Sequence, residues 1–224
     1  MYGIQSIKYS LISALLVLAV GQARAAEPGS MIHHDFAGWK IHQLVRGSLD
    51  GDADDDLAAI LSKPAEGNDE NGQALLVVYL DDGKGGYKLH TRARKAVCVG
   101  CGGPKAAMGE PMGELSISRG LLHVTYEGGS REVFSDELKW RLDAKRNKFL
   151  LIGETRRVTD TLGDAPDETL DVNYASLRAE EKSGKRKTSC TLGAKYKSLE
   201  LSAFDYDGKH VDRIEALSEA CGRS

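Results

Sequence analysis

Between Leu44 and Leu61 the chain crowds Asp50, Asp52, Asp54, Asp55 and Asp56 into one turn flanked by apolar runs. Carboxylates packed this closely repel one another. Either full solvation or a hard divalent cation that gathers their oxygens relieves that repulsion. The chemistry of the segment is therefore oxygen ligation, and calcium is the expected cofactor.

Sulfur offers a second chemistry at Cys98, Cys101, Cys190 and Cys221. In an oxidising compartment an even count favours two disulfides, and four cysteines allow three connectivities. Cys98-Val99-Gly100-Cys101 has the spacing of a redox pair whose leading thiol is activated by a following helix. Here Gly102-Gly103-Pro104 follows and breaks a helix. The expected arrangement is a structural short-loop disulfide, with Cys190 to Cys221 as its partner bond. A four-cysteine zinc site has ligand spacing in only one of its halves.

Acid–base chemistry most often uses a histidine. The chain holds His33, His34, His42, His90, His123 and His210. Neighbours on a strand point to opposite faces, so His33 and His34 cannot ligate together from one strand face. With Met31 and Asp35 they offer copper or zinc ligands in an N-terminal arm, where a solvated arm is the expected state. His123 with a neighbouring acid is a candidate acid/base couple. Gly129-Ser130-Arg131 lacks the flanking glycines of a nucleophile elbow. No catalytic residue is assigned.

These groups must be held by strands. Apolar runs are short, rich in Val, Ile, Leu and Tyr, and separated by glycine turns, a pattern that predicts a mainly β protein of antiparallel sheets. Strands are expected at 41–46, 57–61, 74–80, 87–91, 114–118, 121–126, 131–142, 149–155, 188–192 and 198–204. Asp81-Asp82-Gly83-Lys84-Gly85-Gly86 supplies the positive-φ residues of a hairpin turn, as do Ser118-Arg119-Gly120 and Lys145-Arg146-Asn147 more weakly. Val211, Ile214, Leu217 and Ser218 share a face of a short C-terminal helix, with Cys221 placed to tie it down. Residues 159–173, bearing Asp160, Asp164, Asp167, Glu168 and Asp171, are expected to form a long exposed loop.

The first 25 residues have the form of a cleaved signal peptide. Lys8 precedes the apolar run Leu11 to Val20, and Ala23-Arg24-Ala25 matches a peptidase site. The run is about half the roughly 20 residues a spanning helix needs, so no membrane anchor is expected. The expected organisation is a signal peptide at 1–25, a flexible arm at 26–40 and one β-rich domain at 41–224, exported to the periplasm. Loss of Lys8 and Arg24 moves the formal charge of -3 to about -5. Positive clusters at Arg92, Arg94 and Lys95 and at Lys182, Lys185, Arg186 and Lys187 lack interleaved aromatics, so no nucleic-acid partner is expected.

Gly47-Ser48-Leu49-Asp50-Gly51-Asp52-Ala53-Asp54-Asp55-Asp56-Leu57, followed by Leu75 to Leu80 and then Asp81 to Tyr87, resembles one FG-GAP or VCBS repeat across residues 40–91. That resemblance implies a blade-like four-stranded unit whose acidic loop holds calcium through Ser48, Asp50, Asp52 and Asp56. Ser48 stands where the family prefers a carboxylate, and Ala53 where it has a glycine. A closed propeller needs at least four such blades at a fixed period, and only one is present, so a sandwich or partial propeller-like sheet is expected. The second half, with Gly109-Glu110-Pro111, Gly128-Gly129-Ser130 and Trp140, resembles a group of exported bacterial proteins that share the acidic loop; this implies a shared fold and no reaction.

Two functions from different classes follow. One is a non-catalytic periplasmic binding protein, an inhibitor or immunity-type protein meeting a secreted toxin or cell-wall hydrolase. Its acidic 159–173 segment would meet a basic enzyme cleft. The alternative is a redox or hydrolytic enzyme that uses Cys98 and Cys101, His123 with an acid, or a cleft hidden from sequence.

Overall fold

A computed structural model describes residues 27–64, 72–100 and 111–222; the expected signal peptide, residues 1–25, lies outside them. Strands β1 (Lys40–Gly47), β2 (Asp56–Lys63), β3 (Gln73–Asp81) and β4 (Tyr87–Ala93) form an antiparallel meander. The acidic loop joins β1 to β2, and the Asp82–Gly86 turn joins β3 to β4. This is the segment that carries the repeat resemblance.

β2 and β3 read as continuous apolar runs because both of their faces are buried. Leu57, Ala59, Leu61, Leu75, Val77 and Tyr79 form one face, covered by Ile32 and Phe36. Ala58, Ile60, Leu76 and Val78 form the other and join the main core. Ile32 belongs to helix α1 (Pro28–Asp35), so the expected flexible arm instead carries a packed helix. Burial of Ile32 and Phe36, which periodicity over so short a segment does not reveal, supplies the stabilisation.

After the two-residue strands β5 (Cys98–Val99) and β6 (Pro111–Met112), which pair together, come β7 (Glu114–Ser118), β8 (Leu121–Gly129), β9 (Glu132–Asp143), β10 (Lys148–Asp160), β11 (Glu168–Asn173), β12 (Arg178–Ser183) and β13 (Arg186–Thr191). The last seven make one antiparallel sheet in sequential order. Its inner face presents Leu122, Val124, Tyr126, Leu138, Trp140 and Leu151 to the first sheet's Ile60 and Leu76 in a shared core. The molecule is thus mainly β, built of antiparallel sheets whose two larger members share one core, with no closed barrel and a short C-terminal helix.

Two expectations fail on local composition. Residues 159–173 are no long loop: β10 runs to Asp160, β11 starts at Glu168, and six register pairs join them. Leu170 and Val172 turn inward while polar residues turn out, and cross-strand pairing overrides the low strand propensity of an acidic segment. β12, sequence RAEEKS, was hidden for the same reason, since only Ala179 on it is a buried apolar residue. Conversely, 198–204 is not a strand; a 3-10 turn at Leu201–Ala203 places Leu201 and Phe204, three apart, in the core.

The chain then makes a π-helical turn at Tyr206–His210 and enters helix α2 (Val211–Gly222), which lies against β12 and β13. Ile214, Leu217 and Cys221 are buried, and the Cys190–Cys221 disulfide anchors the helix to β13 with Cα atoms 5.5 Å apart. No described helix is long and apolar enough to cross a membrane.

Candidate functional site

The acidic loop closes on itself. Leu49 N–H donates to Asp56 Oδ2 at 2.6 Å and Asp81 N–H to Asp56 Oδ1 at 2.9 Å, so both oxygens of this fully buried side chain are spent on backbone. Burial, opposed by those bonds and helped by the charges of Asp50 and Asp52, pushes its carboxyl above the ordinary value. Asp50 Oδ1 accepts from Asp52 N–H, Asp52 Oδ1 from Asp54 N–H, and Ser48 Oγ donates to the Asp52 carbonyl. Asp56 thus ties the first hairpin to the turn after β3, while Asp50 and Asp52 shape exposed Asx turns beside Ser48. Among the described residues no group of three or more His, Cys, Asp or Glu side chains converges as a metal site.

Of the cysteines, Cys190 and Cys221 are bonded as expected. Cys101 lies outside the described residues, and with it the Cys98–Cys101 pairing. His34 sits 3.3 Å from Asp35 in a local surface contact, while His90 bonds the neighbouring Thr91 and reaches across 57 residues to Asn147. His123 and His210 are different.

His210 is buried on the inner face of the large sheet. Its Nε2 lies 2.7 Å from Glu154 Oε1, and Tyr174 Oη–H donates to Glu154 Oε2 at 2.7 Å. Beside it Tyr206 Oη–H donates to Asp136 Oδ2 at 2.7 Å, and Arg156 Nη1 approaches the same oxygen at 3.6 Å. Tyr206 stacks on Tyr126 at 3.7 Å between centroids. Burial pushes the Asp136 carboxyl up despite Arg156 and Tyr206, and raises the Tyr174 and Tyr206 phenols far above their ordinary range. His210 Nδ1 and Asp136 Oδ1 are buried without a partner. Glu154 and Asp136 come from β10 and β9, His210 and Tyr206 from the C-terminal turn, so the cluster ties that turn to the sheet. Sequence offered no signal for it beyond polar residues at inward positions of β9 and β10.

From this cluster Arg156 reaches a cleft of about 380 Å³ between the sheet and α2. Its walls carry Glu132, Glu168, Glu181, Glu215 and Glu219 over an apolar floor of Val158, Leu170 and Ile214. Ser218 Oγ–H donates to Glu181 Oε1, while Glu181 Oε2 is shielded from solvent without a partner. The β10–β11 turn adjoins this cleft, since Glu132 pairs with Asp160 and Glu168 with Val158. Asp160 organises the turn by accepting from the N–H groups of Leu162, Asp164 and Ala165, with Arg131 bridging Asp160 and Asp164. At its tip Leu162 is 67% exposed, and Val133, paired with Thr159, is 39% exposed. Among the described residues they are the exposed large hydrophobics, and both sit at this end.

On the outer face His123 bridges three strands. Ser118 Oγ lies 3.0 Å from His123 Nε2, and His123 Nδ1 lies 2.9 Å from Glu137 Oε1. The expected couple of His123 with a neighbouring acid is thus present, with a serine on the other nitrogen.

No family model, curated protein or solved structure matches the chain.

Proposed function

We propose that this protein is an exported binding protein of the inhibitor or immunity type, and that the acidic end of its large sheet docks a basic protein partner. One observation carries the reading: carboxylates from β9, the start of β11, β12 and α2 converge around a cleft, beside the exposed Leu162 and Val133 and the acidic β10–β11 turn. Arg131 and Arg156 are the cations set among them. Such a convergence costs self-repulsion that a cationic partner relieves, and an apolar patch bordered by a polar rim is the anatomy of a protein interface. A secreted toxin or cell-wall hydrolase with a positively charged approach to an anionic wall has the complementary chemistry.

The test is affinity capture with residues 26–224 from envelope extracts, repeated with Leu162→Asp and with Asp164→Lys/Asp167→Lys. A stoichiometric basic partner lost in both variants, whose hydrolytic or toxic activity the wild-type chain suppresses, supports the reading. A partner retained by both variants removes the acidic end from it.

Calcium enters this proposal in a reduced form. Any ion held by the loop meets Asp50, Asp52 and backbone carbonyls, while Asp56 stays a structural tie. Chelation that lowers the melting temperature of the wild type and leaves Asp52→Ala unaffected supports calcium; identical melts with and without chelator remove it.

A further inference from the structure

The contact between Ser118, His123 and Glu137 has the atom order of a nucleophilic relay. With its proton on Nδ1, His123 donates to Glu137 and leaves Nε2 to accept from the Ser118 hydroxyl, so a single tautomer satisfies both bonds. The positions follow from register. Ser116 and Lys139 lie directly opposite His123 on the two neighbouring strands, so Ser118 and Glu137 are its diagonal neighbours on the same outward face. Burial opposes ionisation of Glu137, but the bonds from His123 and Lys139 outweigh it and hold the carboxyl below its ordinary value, so it is an anion in neutral solution. Lys139 Nζ stands 3.2 Å from Glu137 Oε2, leaving Oε1 to the imidazole.

The nucleophile is accessible. Ser118 is exposed and ends β7 at a two-residue turn in which Arg119 and Gly120 both have positive φ, 54° and 73°. An arginine there is unusual, since Asn-Gly is the preferred pair. On the same outer face, and on the side of Glu137 away from Ser118, a groove of about 430 Å³ is lined by Glu137, Lys139, Thr155, Arg157 and Asp171. The face around the relay thus mixes both charges with hydroxyl groups, which suits a polar acyl donor and disfavours a lipid.

We propose that Ser118 is a nucleophile that takes acyl groups from activated polar esters, with His123 as its base and Glu137 as the residue that positions the base. Ser118 Oγ adds to the ester carbonyl carbon as its proton passes to His123 Nε2. The carbon–oxygen bond to the leaving alcohol then breaks, and His123 returns the proton to that oxygen. Water, deprotonated by the same nitrogen, releases the acid and restores the serine. Esters with good leaving groups are the expected substrates, because they ask least of the site in stabilising the developing oxyanion. This site lies on the outer face, away from the acidic cleft, and stands or falls independently of the binding reading.

The experiment is labelling of the folded chain with a fluorophosphonate and with p-nitrophenyl acetate, followed by intact mass and peptide mapping. A single adduct on Ser118 is expected, absent in Ser118→Ala and kept in Ser116→Ala. His123→Ala should slow acylation by about 100-fold or more, the scale of a general base. Glu137→Gln should slow it by less, and Glu137→Asp should restore part of the loss, a rescue that a purely structural contact would not produce. All these substitutions are on the solvent face, and circular dichroism checks that each variant folds. No adduct, an adduct elsewhere, or equal labelling in His123→Ala overturns the proposal.

Discussion

The two sheets handle polarity in opposite ways. In the four-stranded sheet β2 and β3 are apolar on both faces between their ends, and the acids sit in the turns and at the strand ends beside them, where Asp56 and Asp82 accept backbone N–H groups. In the seven-stranded sheet one face is wet and charged, and the other places Glu154, His210, Asp136 and the tyrosines inside the core. A hydrophobic pair of residues would fill that space without desolvating charges. The first sheet is therefore scaffold, and ionisable groups that stability does not require are gathered on the second.

The comparison breaks most visibly in the buried cluster. Glu154→Ala leaves His210 and the Tyr174 hydroxyl without their partner, and removal of one member of a buried pair costs about 3–5 kcal/mol. Chemical denaturation should show that loss, and a cost below about 1 kcal/mol would mean that the cluster is already hydrated. Glu154→Leu with His210→Phe should recover much of it, because the paired apolar replacement removes the desolvation cost as well as the bond.

The second effect belongs to the same sheet. Cys190 and Cys221 are 31 residues apart, and closing a loop of that length stabilises by about 3–4 kcal/mol through the unfolded chain. The double Cys190→Ser/Cys221→Ser variant should lose that amount. Protection against hydrogen exchange should fall first in α2 and the Tyr206–His210 turn and least in β2 and β3. A uniform loss of protection would show that α2 and the sheets unfold as one unit.

These contrasts explain which parts were readable in the sequence. β2, β3, β8 and β10 announce themselves through apolar runs and alternation because burial chose their side chains. The C-terminal helix is legible from Val211, Ile214 and Leu217, and its disulfide from the even cysteine count. β11 and β12 are not, because pairing with neighbours holds them while their outward residues stay acidic or basic. The candidate sites were hidden for a further reason: Glu154 meets His210 across 56 residues, and a diagonal pairing across strands joins His123 to Ser118 and Glu137. The aspartate loop was the reverse case, visible at once, yet nothing in the sequence announces that its fully buried member Asp56 accepts the backbone N–H groups of Leu49 and Asp81.

Asp56 tests the scaffold side of the comparison. Asp56→Ala leaves the N–H groups of Leu49 and Asp81 without an acceptor, and bonds to a charged group are worth about 1.5–3 kcal/mol each. A loss of about 2–3 kcal/mol is expected, since water can reach part of the opened turn. The melting temperature should fall without any calcium in solution, which separates this role from ligation.

The smallest effect separates two turn-forming aspartates, one on each sheet. The ordinary value for both is 3.8. Asp160 is held below it by backbone N–H bonds, first from Leu162, and by Arg131, so the folded state favours the carboxylate. Its stabilisation is present above pH 3.8 and is lost as pH falls through the lower folded value. Asp56 is raised by burial, so the folded state takes up the proton first, and its contribution declines as pH climbs from 3.8 through the higher folded value. Asp160→Asn should therefore cost most at neutral pH and least in acid, whereas Asp56→Asn should cost most in acid. Melting temperatures of both variants against the wild type from pH 7 down to about pH 2.5 measure the two slopes, within the range where carboxylates titrate. Slopes of the same sign would mean that burial of Asp56 is relieved in solution, and the turn after β1 would then be as open to water as the one after β10.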